Sequence, residues 1–212
     1  MRASRGRWRL ALGLAVGAVL ALVVGVAGPA SAATQTVAYQ FQASAAGQTG
    51  TGTLDQDIDA TAPASATAGS AVQVVIDPAP NTVPTDASGY PVKDIKNVKI
   101  LLPVPANSSY VSATVSGGAN LGGTPTVGLD GGNVVLTVPG PIAGGSSFEL
   151  PTITLDLTAG TSGSIDVRLG GTSYSDPGLT FTADVTVLGI PVAASAVAYP
   201  DPNPTLSSTA IG

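Results

Sequence analysis

From residue 33 onward the chain almost never repeats its apolar residues at a helical spacing. Val, Thr, Ile and Ser recur instead in short runs, separated by Gly, Pro, Asn and Asp. β-branched residues suit a pleated, half-buried surface. Turn residues at intervals of about 8–12 positions cut such a chain into many short strands. The pattern predicts an all-β chain of about nine or ten antiparallel strands in a two-sheet β-sandwich, with a closed barrel as the alternative.

The stretch Ile95–Ser116 organises that pattern. It reads as a strand over Val98–Val104, a break at Pro103 and Pro105, and a second strand over Tyr110–Ser116. Ile100-Leu101-Leu102 is apolar on both sides, as expected where both faces are covered. Upstream, Thr36–Ala43 alternates Val37, Tyr39 and Phe41 with Ala38, Gln40 and Gln42, and Leu54, Gln56 and Ile58 alternate with Asp55, Asp57 and Asp59. Ala71–Ile76 is a strand stopped at Asp77-Pro78, because proline cannot donate to a ladder. Pro80–Pro91 carries three prolines and reads as an exposed loop. Downstream, Thr126–Leu129 and Val134–Val138 flank the tight turn Asp130–Asn133, a hairpin signal. Further strands are expected at Phe148–Leu157, Ser164–Leu169, Thr180–Leu188 and Pro191–Tyr199. Residues 33–199 thus read as one β-sandwich domain. Residues 200–212, with Pro200, Pro202 and Pro204, read as a flexible Pro-rich tail.

Residues 1–32 carry a different signal. Arg2, Arg5, Arg7 and Arg9 precede the uncharged apolar run Leu10–Val26, and Ala30-Ser31-Ala32 comes after Gly28-Pro29. That order describes a secretory signal peptide cleaved after Ala32. An uncleaved anchor is the alternative, although the run is at the short end for a bilayer span. The expected location is therefore outside the cell or in its envelope, with membrane contact only if the segment stays attached. The remaining 180 residues hold four basic groups (Lys93, Lys96, Lys99 and Arg168) against 13 acidic ones, a net charge of −9. Such a balance is poorly matched to nucleic acid, where affinity rests on Lys and Arg neutralising phosphates.

Those 180 residues contain no Cys, His, Met or Trp. That removes Ser-His-Asp and Cys nucleophile chemistry and the usual zinc ligands. No phosphate-cradling glycine motif is present, so no nucleotide cofactor is expected. A glycosidase would need two carboxylates across a cleft. Glu149 is the only glutamate, and its parity opposite Phe148 and Leu150 places it facing solvent. The expectation is a protein that is not an enzyme, with a carboxylate-dependent glycoside hydrolase as an alternative. The best local constellation is Asp55, Asp57 and Asp59. Alternation puts them on one strand face about 6.5–7 Å apart, where they could hold calcium, with Asp130, Asp176 or Asp184 completing the shell. The competing reading is a solvated acidic face that discourages edge pairing. Calcium is the only cofactor the sequence raises. Lys93, Lys96 and Lys99 could present a basic edge to an anionic polysaccharide or keep a strand edge soluble. Tyr110 and Tyr174 could serve a binding face or pack at the edge of the fold, and Asn107-Ser108-Ser109 matches the glycosylation triplet.

Ala62-Pro63, Ala68-Gly69-Ser70, Val72–Ile76, Ile95–Val104, Tyr110–Ala113 and Ser116–Gly118 succeed one another in an order that resembles the DUF11-type Ig-like repeats of bacterial cell-surface proteins. Gly131–Leu136, Ile142–Ser146 and Ile153–Thr158 extend the resemblance over about residues 62–159. It implies an Ig-like sandwich and a surface spacer or adhesive module, with no catalytic residue to carry over. The usual Asn-x-Gly segment after the first strand is replaced by Pro80–Pro91. The composition also looks like that of a secreted actinobacterial protein. The expected function is a secreted or envelope-associated binding or structural module, its partner a cell-wall polysaccharide or another surface protein. A β-rich, oligomeric component of an outer lipid layer is a further alternative.

Overall fold

The computed structural model describes residues 29–31, 34–87 and 89–212, and among them every regular element is a strand. In chain order these are β1 (Pro29–Ser31), β2 (Gln35–Ala45), β3 (Gln48–Pro63), β4 (Ser65–Ala66), β5 (Ala71–Pro78), β6 (Asn81–Thr82), β7 (Asp86–Ala87), β8 (Tyr90–Pro103) and β9 (Ser108–Ser116). They continue with β10 (Thr126–Asp130), β11 (Asn133–Val138), β12 (Ile142–Ala143), β13 (Ser147–Phe148), β14 (Thr152–Ala159), β15 (Gly163–Val167), β16 (Leu179–Val187), β17 (Ile190–Pro200) and β18 (Ser207–Ile211). The proposed signal peptide lies outside the described residues apart from β1, which pairs with the end of β3.

Ten strands run side by side in the order β10-β11-β8-β16-β17-β2-β3-β5-β14-β9, all antiparallel. The two outer strands, β9 and β10, return into contact with each other without sharing a ladder. The all-β antiparallel expectation holds. The two-sheet arrangement is not confirmed: the ten strands form one nearly closed, barrel-like sheet with a seam, the alternative the sequence raised. The hairpin β16–β17 decides this. β16 pairs with β8 along one edge and β17 pairs with β2 along the other. It joins into one curved sheet what a sandwich would keep as two. The seam edges expose Val111 on β9 and Leu129 on β10.

Alternation sets which side chains enter the barrel. Ile76, Val74 and Val72 of β5 face Ile153, Leu155 and Leu157 of β14, and all six are buried. Gln73 and Asp156, also cross-strand partners, lie on the outer face and hydrogen-bond at 3.0 Å. Glycine appears where a ring needs room: a Cβ on Gly52 would collide with the ring of Phe41, its partner across the β2–β3 ladder. The predicted hairpin β10–β11 turns through Gly131 and Gly132 at φ 55° and 84°. Both central residues of such a turn need positive φ, which glycine adopts without steric cost.

One end of the barrel is closed by a second sheet, β15-β18-β4. It adds Ile165, Val167 and Leu206 to the same apolar core. This corrects the expectation of a flexible tail over 200–212. Leu206 is fully buried, Ser207–Ile211 pairs along β15, and Thr209 donates from Oγ1 to the Pro63 carbonyl at 2.6 Å. The preceding strand ends at Pro200, and after the other two prolines the chain docks through Leu206, Ser207 and Thr209, all buried.

Candidate functional site

At the opposite end the same inward alternation encloses space. A cavity of about 390 Å³ lies inside the wall, within the range of about 300–1,000 Å³ found for small-molecule sites. Ile58, Ile76, Ile100, Leu136, Ile153 and Phe181, from six different strands, form much of its surface. The cavity reaches the exterior beside exposed Asp55, Thr82 and Pro84.

The segment Pro78–Pro84 straps this mouth. Gln56 faces inward between Leu54 and Ile58, and its Nε2 donates to the Ala79 carbonyl at 2.8 Å and the Asp57 carbonyl at 2.9 Å. Asn81 donates from Nδ2 to the Asp55 carbonyl at 2.9 Å and to Gln56 Oε1 at 3.1 Å. β6 then pairs with β13, bringing Asn81 opposite Phe148. Val83 is buried in the core. The expected exposed loop over Pro80–Pro91 is therefore partly structural: Val83 anchors it, and β6 and β7 give it two short pairings.

Tyr39 is the polar side chain set deepest in this lining. It is 4% exposed, and among the described residues its hydroxyl has no hydrogen-bond partner. Burial pushes that hydroxyl above the ordinary tyrosine range, so it remains protonated and able to donate.

The predicted acidic constellation sits elsewhere. Asp55, Asp57 and Asp59 are exposed on β3 and share its outer face, as alternation required. Thr36 donates from Oγ1 to Asp57, and Asp59 lies across the ladder from Asp77. Among the described residues no three acidic side chains converge closely enough to hold a metal ion. Asp130 ends β10, Asp176 accepts from Thr172 Oγ1 at 2.8 Å in its own loop, and Asp184 is 2.6 Å from Lys96 Nζ. The Asp184 hydrogen bond holds the Lys96 ammonium above its ordinary value. Lys93 and Lys99 are exposed. Asp94 lies across the ladder from Asp184, and its buried Oδ1 has no partner among the described residues. Glu149 is half-buried in an isolated bridge to Ala119. Tyr110 packs against the core, and Tyr174 meets Tyr199 edge-on with ring centroids 5.2 Å apart. Asn107 uses its amide to hold the Ser164 carbonyl at 2.9 Å.

Sequence reasoning did not single out Tyr39, Gln56 and Asn81 as a site. One signal was available: Gln56 is a polar residue at an inward position between Leu54 and Ile58.

No family model matches the chain, and no curated protein matches it. The resemblance to DUF11-type repeats accordingly has no family match behind it. Among solved structures, the chain is similar to a Corynebacterium diphtheriae protein described as a "putative membrane anchored protein". The TM-score is 0.56 at 21% identity, over 85% of this chain and 38% of the other. The likeness is one of fold. This chain spans well under half the length of that protein.

Among the described residues no helix is long and apolar enough to cross a membrane.

Proposed function

We propose that this is a non-enzymatic binding protein of the cell envelope, and that its binding site is the hollow end of the barrel. One observation carries the reading. A cavity of about 390 Å³ lies inside a wall whose inward positions are almost all aliphatic or aromatic. A site of that character takes apolar molecules, because removing their surface from water is favourable by about 25 cal/mol per Å². The envelope assignment is supported by the leader-like Arg2–Ala32 segment and by the description of the structural neighbour as membrane anchored.

The test is titration of the full chain with phenylnaphthylamine, an uncharged dye that fluoresces in apolar surroundings. Saturable binding that is lost in Ile100→Trp, which fills the cavity, is the expected result. Equal dye uptake by the two proteins would refute the site, since dye held elsewhere, including by Leu10–Val26, is unaffected by the substitution. Where Ile100→Trp does not fold, the smaller change Val98→Phe serves.

A further inference from the structure

Resting on that reading, we infer that the cavity selects an uncharged single-chain amphiphile, such as a long-chain alcohol or ester, over the corresponding fatty acid, with the Tyr39 hydroxyl as the hydrogen-bond partner of the ligand oxygen.

The first argument is charge. Lys93, Lys96, Lys99 and Arg168 are the only basic residues after residue 33, and none borders the cavity. Lys96 is already paired with Asp184. The nearest charged group is Asp55, at the mouth with its side chain on the outer face of β3. A carboxylate brought inside would lose its hydration with no cation to receive it, and such burial is strongly unfavourable. An alcohol or ester carries no such penalty.

The second argument is the unpartnered hydroxyl. The other inward polar groups at this end are spoken for: both amide hydrogens of Gln56 and both of Asn81 are donated to neighbouring oxygens. Tyr39 alone keeps a free donor, on a residue that is 4% exposed and lines the space. A pure hydrocarbon would leave that donor unsatisfied. A ligand with one oxygen near its end would satisfy it while placing its chain against the Ile and Leu side chains.

The experiment is competition against phenylnaphthylamine in the full chain at about pH 8, where a carboxylic acid is ionised. Decanol, decanoate and decane are the competitors. Decanol is expected to displace the dye at least about tenfold more effectively than decanoate, and decanoate should recover as acid protonates it. Tyr39→Phe removes one oxygen and keeps the ring. It should weaken decanol by about three- to tenfold, the scale of one hydrogen bond, while decane and the dye are unchanged. Decanoate matching decanol, or decanol unaffected in Tyr39→Phe, would overturn the inference while dye and decane binding still upheld the cavity as the site. Failure of dye, decane and decanol together would overturn both.

Discussion

At the closed end of the barrel, β15, β18 and β4 bring Ile165, Val167 and Leu206 against the same core as Val72, Val74, Leu155 and Leu157. At the other end the same strands continue the same alternation, and Ile58, Ile76 and Ile153 surround a cavity instead. The two ends differ in where their strands lead. β3 and β14 run on into β4 and β15, which form the closing sheet. At the hollow end β5 runs into the strap, which crosses the mouth and leaves the interior unfilled. Identical inward patterns thus give a packed core at one end and a cavity at the other, and substitutions should separate the two.

The largest effect is expected from deleting Leu206–Gly212. This removes the central strand of the closing sheet and a fully buried leucine. Cooperative unfolding in urea should be lost, and a sharp transition would show that the closing sheet is dispensable. Next, Leu155→Ala at the closed end should cost about 2–5 kcal/mol, as expected for a packed leucine. Ile100→Ala at the hollow end should cost less, because its neighbours already border space. Equal losses by chemical denaturation would erase the distinction. Enlargement should show the reverse asymmetry. Val74→Phe should cost about 1–3 kcal/mol through overpacking, whereas Ile100→Phe should be close to neutral.

Smaller effects are expected at the rims. The β16–β17 turn, at the hollow end with the β2–β3 turn, passes through Leu188 at φ 50° and Gly189 at φ 79°. Leu188 is 97% exposed. The β10–β11 turn makes the same bend with two glycines. Leu188→Asn should raise the melting temperature slightly, corresponding to less than about 1 kcal/mol, since Asn tolerates the left-handed region better than Leu. The smallest effect is a response to acid. Asp166 accepts from Ser208 at 2.6 Å and Ser164 at 3.1 Å, which lowers its pKa from 3.8. A carboxyl whose folded pKa is depressed contributes stability above its unfolded value and loses it as pH falls through the folded one. Amide protection in β15 and β18, measured relative to the intrinsic exchange rate at each pH, should therefore fall below about pH 4 before protection around the cavity does. Asp156, lowered by Gln73 and Ser112, should act in the same direction on β14.

Most strands were legible because alternation is a local property. Val37, Tyr39 and Phe41 announce β2, and Asp130–Asn133 announces the β10–β11 turn. Closure was not legible, because it depends on which distant strands pair: Thr180 with Lys99, and Ala198 with Phe41. The cavity was hidden for a related reason. An inward isoleucine looks the same in sequence whether it meets Leu155 or empty space. The strand β18 was masked by its three preceding prolines. Alternation places the acidic row on one face of β3, but one strand face cannot reveal whether other carboxylates approach it.

The contact between β9 and β10 without a ladder has a mechanical meaning. Everywhere else along the ten-strand path, widening the wall would break backbone hydrogen bonds. At the seam, strands can move apart while every ladder stays intact. The barrel is in this respect a split ring, whose circumference yields at one join. Its bore is fixed by backbone ladders at every other junction and, at that join, only by the approach of β9 to β10.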